Sequence, residues 1–318
     1  MSPDTPRLPH FFIAGAPKCG TTSLYHHLDQ HPGIYMSPIK EPNYWAPEFH
    51  AEPVARHAAL FRAHAEKVRT WLDGPMDTRL FAGPVTSLAD YHRLFRRSTD
   101  HQVLGEASPN YLWSPQAPAR IAAAIPTAKI IAILRNPADR AFSQYRQMAN
   151  SGGVTHNFQQ HLEKAVANTD RRHLSDLWPF LELGLYATQI ERYRTHFPTS
   201  QIRVWLYEDT LAPNFHYDVF DFLNVDTCFT PDTSTRYLEQ PRPRFKRSAR
   251  LIQDSGLASL VRRTMPSSAR PLLKKLAFRR DAKPVMRPFS RAWLIDYYRD
   301  DIRRLEQLLQ RDLSAWLR

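Results

Sequence analysis

The segment from His10 to Gln30 constrains this chain more than any other. His10-Phe-Phe-Ile-Ala-Gly-Ala16, bounded by Pro9 and Pro17, is an apolar run of the kind needed by a strand buried on both faces. It passes into Pro17-Lys-Cys-Gly-Thr-Thr-Ser23 and then into helix-compatible residues that continue to Gln30, where His31-Pro32-Gly33 stops the pattern. Strand, glycine-containing turn and helix start in direct succession expose backbone amides at the positive helix end. That is a place for a phosphate-like anion.

A strand of this type needs parallel neighbours, and the rest of the chain supplies candidates. Short strands are expected near 33–36, 102–106, 128–134 and 201–207, and Ile130 to Leu134 is a purely aliphatic run. Helical patterns fall between them, at about 51–72, 86–97, 115–125, 138–149, 157–167 and 181–197. Alternation of this sort predicts a three-layer α/β chain with a central parallel sheet flanked by helices. Trp293 to Trp316 returns to helical periodicity, with Leu294, Tyr298, Ile302, Leu305, Leu308 and Leu309 on one face. A single domain over 1–318 is expected: a core over 1–235, a basic lid-like segment over 236–291 and a closing helix over 292–318.

Charge is concentrated in that middle segment. The whole chain carries +12, from 43 Lys and Arg against 31 Asp and Glu, yet residues 236–291 alone hold 16 basic and 3 acidic side chains. The remainder is close to neutral, which weakens a general nucleic-acid reading; a peripheral membrane contact or an acidic acceptor at 236–291 stays open. Two cysteines, Cys19 and Cys228, form neither a disulfide framework nor a zinc pattern, so a reduced, cytoplasmic protein is expected. No apolar run is long enough for a membrane span. Fourteen histidines show no metal-ligand spacing and are expected to be packing or surface residues.

The turn Gly15-Ala-Pro-Lys-Cys-Gly20-Thr21-Thr22 approximates G-x-x-x-x-G-K-[ST], but Thr21 stands at the lysine position and the lysine is at Lys18, inside the loop. The strand at 128–134 ends in Arg135, where a nucleoside-triphosphate machine usually holds magnesium with an acid. Both differences point to an anion handled by protein cations, without a metal.

Pro17-Lys-x-Gly-Thr-Thr-Ser-Leu24 resembles the 5′-phosphosulfate loop of sulfotransferases that use 3′-phosphoadenosine 5′-phosphosulfate (PAPS). Three further segments occur in that family's order: Lys40-Glu-Pro42, Gly105-Glu-Ala-Ser-Pro-Asn-Tyr-Leu112, and Arg135-Asn-Pro-Ala-Asp-Arg-Ala-Phe-Ser-Gln-Tyr145. The ending, with Asp300-Asp-Ile-x-x-Leu-Glu306 and Asp312-Leu-Ser-x-Trp316, is similar to the tails of many bacterial members. The likeness extends to the carbohydrate and heparan sulfate branch, and it implies a P-loop-like three-layer fold.

Sulfuryl transfer builds negative charge on the departing phosphate oxygen, and a cation there contributes ~3 kcal/mol or more. The resemblance assigns that role to Lys18. It implies a 5′-phosphate cradle of Pro17, Lys18, Cys19, Gly20, Thr21, Thr22 and Ser23, with Cys19 filling space in place of acting as a nucleophile. It puts the 3′-phosphate at Arg135 and Ser143, an arginine fork plus a hydroxyl near a helix start; the alternative pairs Arg135 with Asp139. Arg140 and Tyr145 either touch the ligand or support those that do, and Arg242 is a looser candidate for the nucleotide. Glu41 is the expected base toward an acceptor hydroxyl, against an ordinary ion pair with Lys40. Glu106 is the alternative base, or a support for the acceptor pocket.

The branch often has His two residues beyond this glutamate and Lys directly after the Glu106 position; Asn43 and Ala107 stand there instead. Tyr44, Trp45, Tyr111 and Trp113 are either stacking surfaces for an acceptor or core. The expected activity is transfer from PAPS to a hydroxyl or amine of a small-molecule, carbohydrate or glycolipid acceptor, leaving 3′,5′-diphosphoadenosine. Two other classes stay in view: a magnesium-dependent nucleotide kinase, and a non-enzymatic polyanion-binding protein.

Overall fold

The computed structural model describes residues 7–49, 58–81, 83–150, 154–167, 179–235, 242–243, 278–279 and 285–318. Strand β1 (Phe11–Gly15) is buried at every position, as its unbroken apolar run requires, and it lies in the middle of a five-stranded sheet. Its neighbours are β5 (Val103–Ala107) on one side and β6 (Lys129–Leu134) on the other, with β2 (Ile34–Met36) beyond β5 and β7 (Ile202–Leu206) beyond β6. Every pairing in this sheet is parallel. Phe11 lies opposite both Gly105 and Lys129. A side chain at Gly105 would come within 2.2 Å of the Phe11 ring, so the bare glycine lets that ring occupy the space beside β5.

The helices run α1 (Thr21–Leu28), α2 (Ala58–Asp73), α3 (Leu88–Arg93), α4 (Ala117–Ala124), α5 (Pro137–Asn150), α6 (Phe158–Ala167), α7 (Tyr186–Arg194), α8 (Phe215–Leu223) and α9 (Pro288–Leu309). Between the sheet's strands and these helices lies one hydrophobic core. A small parallel pair, β3 (Ile39–Lys40) with β4 (Leu80–Phe81), extends from the loop after β2. None of the described helices is long and apolar enough to cross a membrane.

The β3–β4 pair is not among the expected strands, α3 stops at Arg93 where the pattern runs to 97, and three further stretches differ from the sequence reading. The pattern over 181–197 divides into a 3₁₀ turn at Glu182–Gly184 and α7, because Leu185 adopts ψ 72 and Gly184 lies against the Tyr298 ring, where a Cβ would come within 2.8 Å. Helix α8 was not expected; Phe215, Val219, Phe220, Phe222 and Leu223 are its buried side, and Asn224 ends it in the left-handed conformation, φ 59. The closing helix starts at Pro288, four residues before the expected 292, and stops at Leu309; a 3₁₀ turn at Ser314–Leu317 follows. Leu294, Tyr298, Ile302 and Leu305 are buried as the helical period predicts. Asp301 on the same helix accepts the Ala187 amide at 3.1 Å, which caps the start of α7.

Of the basic segment over 236–291, the described residues include two short stretches, β8 (Arg242–Pro243) and β9 (Phe278–Arg279), which pair antiparallel with Arg242 opposite Arg279. Residues 285–291, which lead into and begin α9, are also described; the rest of the lid-like segment lies outside the described residues, as does the side chain of Arg242.

Candidate active site

Parallel strands deliver the turns that follow them to one edge of the sheet, and here three such turns converge. The first follows β1. Gly20 has φ 93, in the left-handed region that favours glycine, and it leads into α1. The first backbone bond of that helix runs from the Leu24 amide to the Gly20 carbonyl at 3.2 Å, so the amides of Thr21, Thr22 and Ser23 precede the ladder and have no helical acceptor. Thr21 and Thr22 are buried at this helix start, and Ser23 is half-buried.

Lys18 also holds a positive φ, 69. Burial lowers its ammonium pKa, an effect opposed by the nearby Glu41 carboxylate and reinforced by the Lys40 and Arg135 cations. Residues from three separate stretches of sequence therefore share one electrostatic field. Among the described residues neither Lys18 nor Arg135 forms an ion pair, so both charges stay available to an anionic ligand.

Cys19 is fully buried. Its backbone amide bonds the Ala16 carbonyl at 3.2 Å, and its sulfur lies 3.7 Å from the Tyr186 hydroxyl. Burial pushes the thiol pKa up to about 11, which keeps it protonated and unreactive. Tyr186 also donates to the Arg135 carbonyl at 3.0 Å, tying the turn after β1 to the turn after β6.

Arg135 follows β6, and its guanidinium lies 4.9 Å from the centre of the Tyr207 ring. A Cβ on Gly20 would meet that same ring at 3.3 Å. Tyr207, the first residue after β7, thus packs against both the turn after β1 and the turn after β6. Sequence reasoning overlooked it, although its position at the carboxyl end of an expected strand was the available signal. The alternative pairing of Arg135 with Asp139 is not formed: Asp139 bonds Arg291 of α9 at 2.7 Å. Ser143 sits in the second turn of α5, half-buried. Arg140 is turned inward and fully buried, bonding Gln144 at 2.5 Å and the Phe180 carbonyl, which makes it a support for α5. Tyr145 donates to the His156 carbonyl at 2.9 Å.

The third turn carries Lys40 and Glu41. Lys40 is buried, with its ammonium 2.5 Å from Glu41 Oε1 and 4.8 Å from the Phe81 ring centre. The ion pair weighed for Glu41 is therefore present, yet the glutamate remains a quarter exposed, with side-chain accessibility of 24% against 2% for Lys40. Glu41 and Asn43 have φ 66 and φ 53. Left-handed non-glycine residues cost about 1–3 kcal/mol each and persist where surrounding structure fixes them; Lys18, Glu41 and Asn43 form such a cluster.

Glu106, in contrast, is fully buried, and its pKa rises to about 7 because burial outweighs its hydrogen bonds from Ser108, Tyr91 and Tyr111. Trp45 and Tyr111 belong to the core, whereas Tyr44 and Trp113 stay half-buried at its margin. Among the described residues no group of three or more His, Cys, Asp or Glu is placed to hold a metal.

Fold and site together set a helix start, whose first amides have no helical acceptor, beside Lys18 and Arg135, two cations without an ion pair among the described residues. The Sulfotransferase family profile matches residues 9–209, and the chain belongs to that family. It is 28% identical over 263 residues to carbohydrate sulfotransferase 15 of Rattus norvegicus, covering 69% of this chain and 44% of the rat protein. It is 30% identical over 321 residues to bifunctional heparan sulfate N-deacetylase/N-sulfotransferase 1 of Xenopus tropicalis, covering 98% of this chain and 31% of the frog protein. The chain thus spans less than half the length of these relatives. The crystal structure of a sulfotransferase from Alicyclobacillus acidocaldarius superimposes with a TM-score of 0.69 at 30% identity, covering 98% of this chain and all of that one.

Proposed function

We propose that the protein transfers a sulfuryl group from PAPS to a hydroxyl or amine of a carbohydrate acceptor. The observation that carries this reading is the shared field of Lys18, Lys40, Glu41 and Arg135 around a helix start with free amides. The acceptor class is suggested by the carbohydrate and heparan sulfate relatives at 28–30% identity.

In this reading the amides of Thr21, Thr22 and Ser23 hold the 5′-phosphate, with the threonine and serine hydroxyls beside them. Arg135 and Ser143 bind the 3′-phosphate, and that contact separates PAPS from ATP. Glu41 takes the acceptor's proton through the oxygen not bound to Lys40. As the new S–O or S–N bond forms, the bond from sulfur to the bridging phosphate oxygen breaks, and its electron pair stays on that oxygen. Lys18 meets the charge developing there. Its depressed pKa follows from desolvation, which also strengthens its interaction with a nearby anion. Neither the kinase nor the polyanion-binding alternative finds support in the family assignment.

The test pairs ligand binding with transfer. Calorimetry without magnesium should show 3′,5′-diphosphoadenosine binding at least about tenfold more tightly than AMP, because AMP leaves a phosphate-binding arginine without its partner. Labelled PAPS should then deliver sulfate to de-N-sulfated heparan sulfate oligosaccharides or to a panel of simple glycosides. Equal affinity for the two nucleotides, or a strict magnesium requirement, refutes the reading.

A further inference from the structure

We infer that Glu106 is a positioning residue that holds the Glu41-bearing loop through three hydroxyl tethers. The inference deepens the proposed function and, for its kinetic consequence, rests on Glu41 acting as base.

The tethers follow from what each group can donate. Ser108 Oγ accepts the Asn43 amide at 3.1 Å and donates to Glu106 Oε1 at 2.6 Å. The Tyr111 hydroxyl accepts the Trp45 amide at 3.2 Å and donates to Glu106 Oε2 at 3.1 Å. The Tyr91 hydroxyl accepts the Trp45 indole N–H at 2.8 Å and donates to Glu106 Oε2 at 2.5 Å. Backbone amides and indoles only donate, and a hydroxyl has a single proton. Each hydroxyl, occupied as an acceptor by the loop, therefore turns its proton to Glu106. The carboxylate is the common acceptor that sets the direction of all three chains.

The backbone next to it adds a fourth point, since the Glu41 amide bonds the Ala107 carbonyl at 2.9 Å. Four attachments thus fall within residues 41–45, the stretch that keeps Glu41 and Asn43 at positive φ. Tyr44 stacks on Tyr91 with 4.6 Å between ring centres, and Trp45 meets Tyr91 edge-on at 5.5 Å, so the tether and the packing use the same ring. Glu106 has no exposed surface. It reaches the acceptor's proton only through the loop that it holds.

Glutamine at 106 offers one oxygen and one amide. The amide meets Ser108 or the tyrosine pair as a second donor, and at least one chain loses its direction. The experiment is hydrogen exchange on the full chain, comparing wild type, Glu106→Gln and, should that variant fold poorly, Ser108→Ala, which removes one tether and leaves the carboxylate in place. The amides of Glu41, Asn43, Tyr44 and Trp45 should exchange about tenfold faster or more while those of β6 at 129–134 keep their protection. Unchanged protection at 41–45, or an equal loss at 129–134, overturns the inference.

A kinetic arm uses de-N-sulfated heparan sulfate oligosaccharide as acceptor. Glu106→Gln should lower kcat about tenfold with unchanged affinity for 3′,5′-diphosphoadenosine, and in a Glu41→Gln background it should cost nothing more, because residues acting through one another are not additive. Losses that multiply overturn the positioning role. Full activity of Glu41→Gln overturns the base assignment instead, and the exchange result then decides the tether alone.

Discussion

Glu106 makes the stability of the protein depend on pH in a direction opposite to most carboxylates. Its pKa is about 7 in the folded chain, against an ordinary 4.5. The folded state therefore binds more protons than the unfolded state between those values, and stability falls as pH rises through that window. Each pH unit of displacement corresponds to about 1.4 kcal/mol, so the loss amounts to about 3 kcal/mol, fully developed above pH 7. Histidines oppose it: burial lowers His161 and His216 to about 4, so each adds stability as pH rises toward 6.5.

A raw stability profile mixes the two, and a difference profile separates them. Glu106→Gln removes the carboxyl titration and keeps the histidines. Urea unfolding of both proteins at intervals from pH 4.5 to 8 should show wild type losing about 3 kcal/mol relative to the variant across the range, with most of the change complete by pH 7. Parallel profiles would refute the account, since they would mean that Glu106 ionises equally easily in both states. A difference that grows in the other direction would mean that the three hydroxyls outweigh burial.

Lys18→Ala should fold normally and lose ~100-fold or more in turnover, measured by sulfate transfer from labelled PAPS; near-normal turnover removes the lysine from the mechanism. Glu41→Gln should reduce turnover by roughly 10²–10⁴ with PAPS affinity little changed, provided the acceptor is an alkyl hydroxyl whose proton needs a base. Iodoacetamide at pH 8 should alkylate exposed Cys228 in the native protein and reach buried Cys19, with its thiol raised to about 11, only on unfolding; mass spectrometry showing early labelling at Cys19 contradicts the loop structure. Arg140→Met should destabilise the protein by about 3 kcal/mol in urea unfolding, since the Phe180 carbonyl and Gln144 lose a buried partner, without selectively weakening nucleotide binding.

Much of this architecture is written in local pattern. The unbroken apolar runs of β1 and β6 announce strands covered on both faces, and the 3.6-residue period of 294–305 announces the buried face of α9. Gly20 and the residues after it announce a tight turn into a helix start with unbonded amides, because both are properties of neighbouring residues. Helix α8 carried a readable apolar spacing at 215, 219 and 223, and the break at Gly184–Leu185 became visible only when Tyr298 of α9 packed against it.

Partner choice belongs to the tertiary structure. Arg135 and Asp139 are four residues apart, yet Asp139 pairs with Arg291, 152 positions away, and Arg135 instead overlies Tyr207. Glu41 and Glu106 are the same side chain in short motifs, and sequence offered both as bases. Burial and three hydroxyl donors make Glu106 an internal anchor, while Glu41 stays partly exposed beside Lys40, in the same field as Lys18. Residue identity determines which charges and hydrogen bonds are possible. Which of them form depends on desolvation and on distances between remote segments, and those exist only once the sheet has brought its strand ends together.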